Sequence, residues 1–317
     1  MKPNILLLEY ISAEALTILH KHTTVHVAET PASGMDIATK MPIDAIVTRG
    51  RGEVNEALIQ NCQGLKMIAR CGVGLDNVAV TTASELGIKV INAPGSNADT
   101  VAEHTLALML AAKRQIPTYA KATKNNHWMH RSQYRGDEIR GKKLGILGLG
   151  NIGKKVAQLA TAFGMRVQYW NRTPRKTPYQ QVDFDTLLVT SDIISLHLPK
   201  IAATQHLINA ATLQKMKPSA LLINTARGTI IDETALLHAL QNQTISGFAA
   251  DVLQNEPPID NHPLLQLPNV LVTPHTASLT AATFNEMCVV TVQNLVDLLA
   301  GKVIEERFIS FLNHLPC

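Results

Sequence analysis

Short apolar runs alternate with helical segments along most of this 317-residue chain. In the first third, the apolar runs have the length and composition of strands, and the segments between them carry helical periodicity. Strands are predicted at Ile5–Leu8, Val25–Ala28, Ala45–Thr48, Leu65–Ala69 and Lys89–Asn92. Helices are predicted at Ser12–His22, Gly34–Lys40 and Asn55–Asn61. Because strand–helix alternation requires crossover connections, this pattern predicts a parallel sheet.

A second series of the same kind follows a long helix. The pattern Thr100-Val101-Ala102-Glu103 is a capping box, which predicts a helix from Val101 to about Arg114. The charged and amide-rich segment from Tyr119 to Arg140 predicts a surface connection. Later elements are predicted at Leu144–Leu147, Asn151–Phe163 (a helix), Arg166–Trp170, Asp192–Leu198, Ala220–Asn224, Ser246–Val252 and Val270–Thr273. The middle strands of this second series are nearly continuous apolar runs, as expected for strands covered on both faces.

The length of the chain predicts two domains, because single cores stop growing near ~250–300 residues. The last predicted helix runs from Ala281 to Leu299 and ends before Gly301, a residue suited to a helix C-terminus. We expect this helix to pack on the N-terminal domain, because the second sheet is already complete. The predicted division is residues 1–98 with 281–317 for the smaller domain and 99–280 for the inserted one.

Charge and cysteine content exclude several classes of protein. The chain has 29 basic and 25 acidic residues, and it contains no basic block with interleaved aromatics, so nucleic acid is not an expected partner. The longest apolar run, Leu106–Ala112, is far below the ~20 residues of a membrane span. No signal segment precedes the first strand, so a cytoplasmic protein is expected. The four cysteines, Cys62, Cys71, Cys288 and Cys317, have neither disulfide-framework nor metal spacing.

No metal site is predicted. Two groups of histidines lie close together in the sequence, but no cysteine or acid completes either group at ligand spacing. These groups are His20, His22 and His26, and His127 and His130.

The motif with the most chemical content is an apolar strand that runs into a glycine loop and then a helix. Residues 143–153 read Lys-Leu-Gly-Ile-Leu-Gly-Leu-Gly-Asn-Ile-Gly. In such loops the first glycine makes the tight turn, the second lets the backbone approach a pyrophosphate, and the third lets the helix pack on the strand. The helix N-terminus offers free N–H groups to the phosphates. The cofactor contacts predicted here are Gly148, Gly150, Asn151, Ile152 and Gly153.

The same residues nearly match a phosphate-binding P-loop. Gly148 to Lys154 satisfy that pattern, but its final position must be Ser or Thr so that a hydroxyl can hold Mg²⁺. The chain has Lys155 at this position. An enzyme that hydrolyses nucleoside triphosphates is therefore disfavoured.

The end of the following strand bears on the type of dinucleotide. An acid about 20 residues after the glycine loop usually accepts a hydrogen bond from the ribose 2′-OH of NAD. Here the chain reads Asn171-Arg172-Thr173, so no charge repels a 2′-phosphate and Arg172 can pair with one. Arg175 and Lys176 add positive charge. These residues favour NADP over NAD, although a solvated turn is the simpler interpretation of the same segment.

Arg227, Glu256 and His275 each lie just beyond a predicted strand. The carboxyl ends of strands in an open α/β sheet meet at the edge where ligands bind. There, Arg227 can bind a substrate carboxylate and polarise a carbonyl oxygen, and His275 can protonate that oxygen as hydride reaches the carbon. Glu256, if it bonds to the imidazole, favours its charged form and fixes its tautomer. Singly these residues are unremarkable, but together with a dinucleotide loop they favour redox chemistry on a 2-keto acid.

These motifs, taken in order, resemble those of the D-isomer-specific 2-hydroxyacid dehydrogenases. The resemblance covers nearly the whole chain and rests on Arg70–Asn77, Asn92–Gly95, Gly148–Gly153, Asn224–Gly228, Asp251–Pro257 and Thr273–His275. It implies a Rossmann cofactor domain inserted into a split flavodoxin-like substrate domain, and a homodimer. It also implies NAD(P)-dependent hydride transfer to or from a 2-hydroxy or 2-keto acid. The alternative is a dinucleotide-sensing binding protein similar to the C-terminal-binding co-repressors, which use this fold to recruit partners.

The resemblance also implies roles for individual residues. The family's catalytic triad corresponds to Arg227, Glu256 and His275, and its carboxylate-binding loop corresponds to Val73 and Gly74. The residue that contacts the nicotinamide carboxamide corresponds to Asp251. Further cofactor-binding positions are His197, Pro199, Thr204, Thr225 and Ala226.

The substrate predicted by the resemblance is a small or phosphorylated acid. Arg49 and Arg70 are similar in position to the phosphate-binding arginines of D-3-phosphoglycerate dehydrogenases, and Arg131 or Arg135 offers a third cation. The chain ends at Cys317, so the regulatory C-terminal domains of longer members are not expected. Glyoxylate and hydroxypyruvate reductases of the family are also short and often use NADPH. The sequence leaves 3-phosphoglycerate, hydroxypyruvate and glyoxylate as candidates.

Overall fold

The chain forms two compact units in a computed structural model that describes residues 2–310. The first unit contains the residues up to Asn97 and those from Leu279 onward, and the second contains Ala98–Ser278. The second unit is one continuous segment that interrupts the sequence of the first. Within residues 2–310, no helix combines the length and the apolar character needed to cross a membrane.

The elements follow one another in the alternation that the sequence predicts. The strands are β1 (Asn4–Leu7), β2 (Thr24–Val27), β3 (Ala45–Thr48), β4 (Met67–Arg70), β5 (Lys89–Ile91), β6 (Lys143–Leu147), β7 (Arg166–Trp170), β8 (Gln180–Gln181), β9 (Ile193–Leu196), β10 (Leu221–Asn224), β11 (Gly247–Ala250), β12 (Val270–Val272) and β13 (Ile309–Ser310). The helices are α1 (Ala13–His22), α2 (Pro31–Lys40), α3 (Glu56–Asn61), α4 (Val80–Glu85), α5 (Ala98–Lys113), α6 (Ile116–Lys124), α7 (Asn151–Ala162), α8 (Phe184–Thr190), α9 (Ala210–Lys215), α10 (Glu233–Gln241) and α11 (Ala281–Leu299). Short 3₁₀ helices lie at Trp128–Gln133, Ala202–Thr204, Gly228–Ile230, Pro263–Gln266 and Glu306–Phe308.

The first unit is built on a sheet with strand order β2-β1-β3-β4-β5-β13. Its first five strands are parallel, and their order is the doubly wound, flavodoxin-like one. The edge strand β13 pairs antiparallel with β5, which the sequence did not predict. One face of the sheet is covered by α1 and α11, so that Leu19, Val292 and Leu295 share a buried cluster with Ile5 and Val47. The last helix therefore packs on the N-terminal strands, as expected.

The second unit is built on a fully parallel sheet with the order β8-β7-β6-β9-β10-β11-β12. Its first six strands have the Rossmann order, so the chain reverses direction across the sheet between β6 and β9. Each face has its own buried cluster: Met109, Val156 and Ala160 contribute to one, and Leu187 and Leu236 to the other. The predicted fold class is confirmed, and the carboxyl ends of the strands lie along one edge.

Two predicted helix starts are wrong. The helix α2 begins at Pro31 and not at the predicted Gly34, because Thr30 caps it and proline suits its first turn. The helix α5 begins at Ala98, so Thr100 lies inside its first turn and is not the N-cap. The acid that supports the start is Asp99, which lies in the first turn, where a negative charge is favourable. Asp99 Oδ1 also lies 2.8 Å from the Nζ of Lys155 on α7. The segment from Tyr119 to Arg140, predicted as a surface connection, is largely exposed but contains most of α6 and a 3₁₀ helix.

Candidate active site

The glycine loop joins the carboxyl end of β6 to the start of α7. Gly148 has φ +99, a conformation that residues with a side chain rarely adopt, and a Cβ there would collide with the carbonyl of His197. A Cβ at Gly153 would collide with the Gly148 carbonyl, so the helix packs directly on the loop. At Gly150, the N-cap, a Cβ would meet no atom within 4 Å. The loop therefore combines open space with a helix N-terminus, which fits a dinucleotide diphosphate.

Asn171 braces the glycine loop from the end of the next strand. It directly follows β7, and its Oδ1 accepts a hydrogen bond of 2.6 Å from the N–H of Leu149. The first residues of α7, Asn151 and Ile152, carry N–H groups at the positive end of the helix dipole. A neutral amide thus occupies the position where NAD-binding folds usually have an acid.

The residues after Asn171 carry positive charge into solvent. Arg172 and Thr173 are both exposed, as are Arg175 and Lys176. No ion pair or hydrogen bond to the rest of residues 2–310 engages the Arg172 side chain. The loop after β7 therefore has the charge pattern that accommodates a 2′-phosphate.

The loop after β9 contains three of the predicted cofactor positions. The N–H of His197 donates to the Leu147 carbonyl at 2.8 Å, and its Nε2 lies 2.9 Å from the Ser195 hydroxyl. Burial lowers the pKa of His197 to about 3, so this imidazole is neutral at physiological pH. The hydroxyl of Thr204 donates to the Pro199 carbonyl at 2.6 Å. Thr204 therefore shapes its own loop, and its contact with a cofactor stays a prediction.

The turn after β10 is fixed at both ends by the side chain of Asn224. Its Oδ1 accepts from the N–H of Ala226 at 3.0 Å, and its Nδ2 donates to the Arg227 carbonyl at 2.9 Å. The hydroxyl of Thr225 lies 2.8 Å from that of Thr105 on α5, and both are buried. Arg227 Nη1 donates to the Ala226 carbonyl at 2.7 Å. The guanidinium is thus held at the carboxyl end of β10 by a rigid turn.

His275 and Glu256 form a hydrogen-bonded pair. The Nδ1 of His275 lies 2.6 Å from Glu256 Oε2, and Oε1 accepts from the N–H of Leu253 at 2.9 Å. Because an ionised carboxylate only accepts, we assign the hydrogen to Nδ1, which leaves Nε2 for other partners. The His275 side chain is 49% exposed, so the ring is accessible to a ligand.

The surroundings of Glu256 keep it ionised. Burial would raise the pKa of this carboxyl, but the hydrogen bonds from His275 and from the N–H of Leu253 outweigh burial. The positive charges of His275 and Arg227 act in the same direction, and the pKa lies below its usual 4.5. Glu256 is therefore negative at neutral pH and stabilises a protonated imidazole.

The buried carboxylate of Asp251 supports the segment that carries His275. Its Oδ1 accepts from the hydroxyl of Thr273 at 2.6 Å and from the N–H of Thr276 at 2.9 Å, and its Oδ2 accepts from the N–H of Ala277 at 2.8 Å. Its carbonyl accepts from the N–H of His275 at 2.9 Å. These bonds hold His275 at φ +53, in the left-handed region. A contact between Asp251 and a nicotinamide stays a prediction.

The loop after β4, in the first unit, presents free backbone donors. Arg70 ends this strand, and its carbonyl accepts from the N–H of Gly72 at 2.8 Å. The Nδ2 of Asn92 donates to the Val73 carbonyl at 2.6 Å. The N–H groups of Val73 and Gly74 donate to no acceptor in the part of the chain that the structure describes. Two adjacent free N–H groups on a partly exposed loop suit a carboxylate.

Arg49, which follows the neighbouring strand β3, is bound to an acid that the sequence analysis missed. Its Nη2 lies 2.9 Å from Oε1 of Glu9, and its guanidinium carbon lies 5.2 Å from the ring centroid of Phe284. Glu9 Oε2 also accepts from the N–H groups of three consecutive residues, Gly50 at 2.8 Å, Arg51 at 2.8 Å and Gly52 at 3.1 Å. The Glu9 carboxylate thus fills an anion site made of one guanidinium and three N–H groups.

Most predicted site residues of the second unit lie along one sheet edge, beyond β6, β7, β9, β10, β11 and β12. Arg49, Arg70, Val73 and Gly74 lie beyond β3 and β4 in the first unit.

Glu9 follows the first predicted strand, so the rule that singled out Arg49 applies to it as well. His104, whose Nε2 lies 2.9 Å from Thr273 Oγ1, had no such signal because it is on a helix. Among residues 2–310, no three His, Cys, Asp or Glu side chains are grouped as metal ligands.

Comparison with known proteins assigns the chain to a family. Residues 106–277 match the family model of the D-isomer specific 2-hydroxyacid dehydrogenase, NAD binding domain. The chain is also 36% identical over 316 residues to the glyoxylate reductase of Aeropyrum pernix, covering 95% of this chain and 94% of the relative. The chain belongs to the D-isomer-specific 2-hydroxyacid dehydrogenase family.

Two other similar proteins extend the comparison. The D-3-phosphoglycerate dehydrogenase of Archaeoglobus fulgidus is 38% identical over 303 residues, which cover 94% of this chain but only 57% of that relative. A solved NADPH-dependent glyoxylate/hydroxypyruvate reductase from Sinorhizobium meliloti, in complex with NADP and malonate, has a TM-score of 0.88 and 31% identity. That comparison covers 95% of this chain and 94% of the solved one. The family, the Rossmann cofactor domain and the oxidoreductase class predicted from the sequence are confirmed.

Proposed function

We propose that this chain is a reductase that uses NADP(H) to interconvert small 2-keto acids and D-2-hydroxy acids, with glyoxylate or hydroxypyruvate as the keto acid. The observation that carries the proposal is the pair of His275 and Glu256. Its Nδ1 to Oε2 distance is 2.6 Å, and the charge of Arg227 acts on the same carboxylate. The pair lies at the edge of the sheet that also carries the glycine loop.

The residues of the second unit divide the chemistry among them. The N-terminus of α7 and the open backbone at Gly150 bind the diphosphate of the dinucleotide. When bound, the nicotinamide supplies the hydride in reduction and accepts it in oxidation. Arg227 binds the substrate carboxylate and polarises the keto oxygen, and His275 Nε2 delivers a proton to that oxygen. Glu256 stabilises the imidazolium before the transfer, and the steps reverse in oxidation.

The first unit binds the substrate in this proposal. The free N–H groups of Val73 and Gly74 donate to a carboxylate, and Arg70 adds positive charge at the end of β4. The domains are those of residues 1–98 with 281–317 for the substrate and 99–280 for the cofactor. The protein acts as a cytoplasmic homodimer, which size-exclusion chromatography with light scattering would test: a monomeric mass at micromolar concentration contradicts it.

Pairing of Arg49 with Glu9 favours an unphosphorylated substrate. A phosphate would have to displace the carboxylate that already holds Arg49 and three N–H groups. The glyoxylate reductase of Aeropyrum pernix also aligns along nearly its whole length, which supports the same choice. A panel of glyoxylate, hydroxypyruvate and phosphohydroxypyruvate, each with NADPH, would test it. A higher kcat/KM for phosphohydroxypyruvate would contradict the ranking, and tight dinucleotide binding without turnover on any 2-keto acid would favour a binding protein.

The preference for NADP rests on Asn171 and Arg172. The exposed Arg172 can pair with a 2′-phosphate, so Arg172→Ala should lower kcat/KM with NADPH about tenfold and leave that with NADH nearly unchanged. Arg166→Ala is the matched control, because Arg166 starts β7 at the opposite edge of the sheet. An equal loss with both cofactors would show that Arg172 does not contact the 2′-phosphate.

A further inference from the structure

Glu233 joins two segments of the candidate site without belonging to either. It is the first residue of α10 and follows the turn that carries Arg227. Its Oε1 accepts a hydrogen bond of 2.6 Å from the N–H of Gln254. Its Oε2 lies 3.4 Å from Nε2 of His262, and only 16% of the Glu233 side chain and 13% of the His262 side chain are exposed. Such a largely buried carboxylate, held by one hydrogen bond and by a longer contact with an imidazole, has a restricted orientation.

Gln254 belongs to the short loop that ends at Glu256. A hydrogen bond within the loop joins its two ends: the N–H of Leu253 donates to the Glu256 carboxylate at 2.9 Å. It also lies directly against Gly228, the residue after Arg227: a Cβ at Gly228 would collide with the Leu253 carbonyl and with the nitrogen of Gln254. The hydrogen bond from the N–H of Gln254 to Glu233 therefore attaches this loop a second time, here to the start of α10.

We propose that Glu233 is a positioning residue that holds the loop 253–256, and with it the carboxylate of Glu256, in line with His275 and Arg227. This inference rests on the proposed function. Glu233 touches neither substrate nor cofactor; it acts through Gln254. A catalytic hydrogen bond of 2.6 Å tolerates little displacement of either partner, so a loop released at Gln254 weakens the grip of Glu256 on the imidazole.

His262 supports this arrangement from the other side. It lies immediately before the 3₁₀ helix Pro263–Gln266, and its Nε2 contacts Oε2 of Glu233, the oxygen that does not bind Gln254. Glu233 is thereby kept from rotating away from the backbone of Gln254. Removal of the His262 side chain should weaken the attachment less than removal of Glu233 itself, because the bond between Glu233 and Gln254 remains.

Three variants test the proposal. Glu233→Met keeps the size of the side chain but removes the acceptor, and kcat should fall about tenfold, the value of one ordinary hydrogen bond. The KM for the keto acid and the dinucleotide affinity should change by less than about twofold. Glu233→Gln also removes the charge but keeps an acceptor for Gln254, so it should restore most of kcat. Asp232→Ala is the control: it removes the N-cap of α10, whose side chain accepts from Ala235, and should leave kcat unchanged.

Hydrogen exchange provides a readout that does not depend on turnover. The amide of Gln254 should be protected in the wild-type protein and in Glu233→Gln, and should exchange faster in Glu233→Met. A protein without turnover but with this exchange pattern would refute the proposed function and retain the attachment. The positioning role is overturned by an unprotected Gln254 amide in the wild type, by equal kcat losses in Glu233→Met and Glu233→Gln, or by a kcat loss in Asp232→Ala as large as that in Glu233→Met.

Discussion

Each unit contains an acid paired with a basic side chain at a sheet edge, and the two pairs differ in what they leave free. In the first unit, Glu9 binds Arg49 and three backbone N–H groups, and only 11% of its side chain is exposed. In the second unit, Glu256 binds His275 and one backbone N–H, and the pair is 35% and 49% exposed. The first acid is saturated by its own unit. The second leaves an accessible imidazole.

The pKa values of both acids are lowered for different reasons. Burial would raise the pKa of Glu9, but the N–H groups of Arg51, Gly52 and Gly50, followed by the charge of Arg49, bring it below its usual 4.5. For Glu256, the largest opposing contribution to burial is the hydrogen bond from His275. An acid stabilised mainly by backbone donors holds the fold in place, whereas one stabilised by a titratable side chain can participate in proton transfer.

The largest expected effect comes from removing the imidazole of the accessible pair, His275 and Glu256. His275→Ala should lower kcat by about 10²–10⁴-fold, because it removes the proposed general acid, and should leave dinucleotide binding nearly intact. Steady-state kinetics and dinucleotide titration would measure both quantities. His20→Ala, on the exposed side of α1, is the matched control and should retain full activity. Substantial activity in His275→Ala would remove the distinction between the two pairs.

The second-largest effect is expected from a variant that removes the charge of Glu256 but keeps its size. Glu256→Gln retains an oxygen near Nδ1 but no longer stabilises the imidazolium, so kcat should fall by about 10–10²-fold. Because the pKa of Glu256 lies below 4.5, this carboxylate stays ionised above that pH, and the wild-type rate should show no loss from its protonation at neutral pH. A pH–rate profile of both proteins is the measurement. Wild-type kinetics in Glu256→Gln would indicate that the pair is structural, like the one in the first unit.

The pair of Glu9 and Arg49, here called the closed pair, should affect stability more than activity. Glu9→Gln should lower the free energy of unfolding by about 2 kcal/mol at neutral pH, because charged acceptors contribute more than neutral ones. The contribution of Glu9 is fully present above its unfolded pKa and is lost as pH falls through the lowered folded pKa. The difference between wild type and variant should therefore shrink below pH 4.5.

Urea denaturation followed by far-UV circular dichroism would measure this difference, since both tryptophans, Trp128 and Trp170, belong to the second unit. Glu29→Gln, at an exposed position, is the control and should not change stability. A constant difference between pH 7 and pH 4 would contradict the role given to the ionised form of Glu9.

The smallest effect is expected at a fully exposed pair. The Nζ of Lys40 lies 2.6 Å from Asp36, one turn away on α2, with side chains 70% and 57% exposed. Solvent screens such pairs, so Lys40→Gln should change the free energy of unfolding by less than about 0.5 kcal/mol. The same denaturation experiment measures it. A change as large as that of Glu9→Gln would show that backbone donors are not what sets the closed pair apart.

The fold was predictable because its strands are local apolar runs. The strand Ala45–Thr48 and the helix Ala281–Leu299 have the predicted bounds, and the strand–helix alternation implies parallel sheets. The pairing of β13 with β5 was not predictable, because a two-residue strand carries no periodicity and antiparallel pairing at an edge depends on where the chain returns. The start of α5 was missed because Thr100 and Glu103 have the sequence pattern of a capping box, although both lie inside the helix.

The site was predictable to the extent that its residues directly follow strands. Arg227 and His275 were singled out in this way, and both do lie just beyond strands; the same rule would have singled out Glu9. His104 and Glu233 act through hydrogen bonds to Thr273 and Gln254, partners far away in sequence. Their contributions arise only when helices pack on the sheet, so no local pattern contains them. Individual roles in binding and catalysis therefore remain predictions that the variants above can test.

The split of the first unit also constrains how the protein is made. Its buried cluster needs Cys288, Val292 and Leu295 from α11, yet β1 to β5 leave the ribosome almost 200 residues earlier. The second unit is continuous and contains its own two clusters, so it can fold first during synthesis. Until α11 emerges, the apolar face around Ile5 and Val47 is covered by α1 alone, and the nascent chain is most exposed to aggregation in that interval.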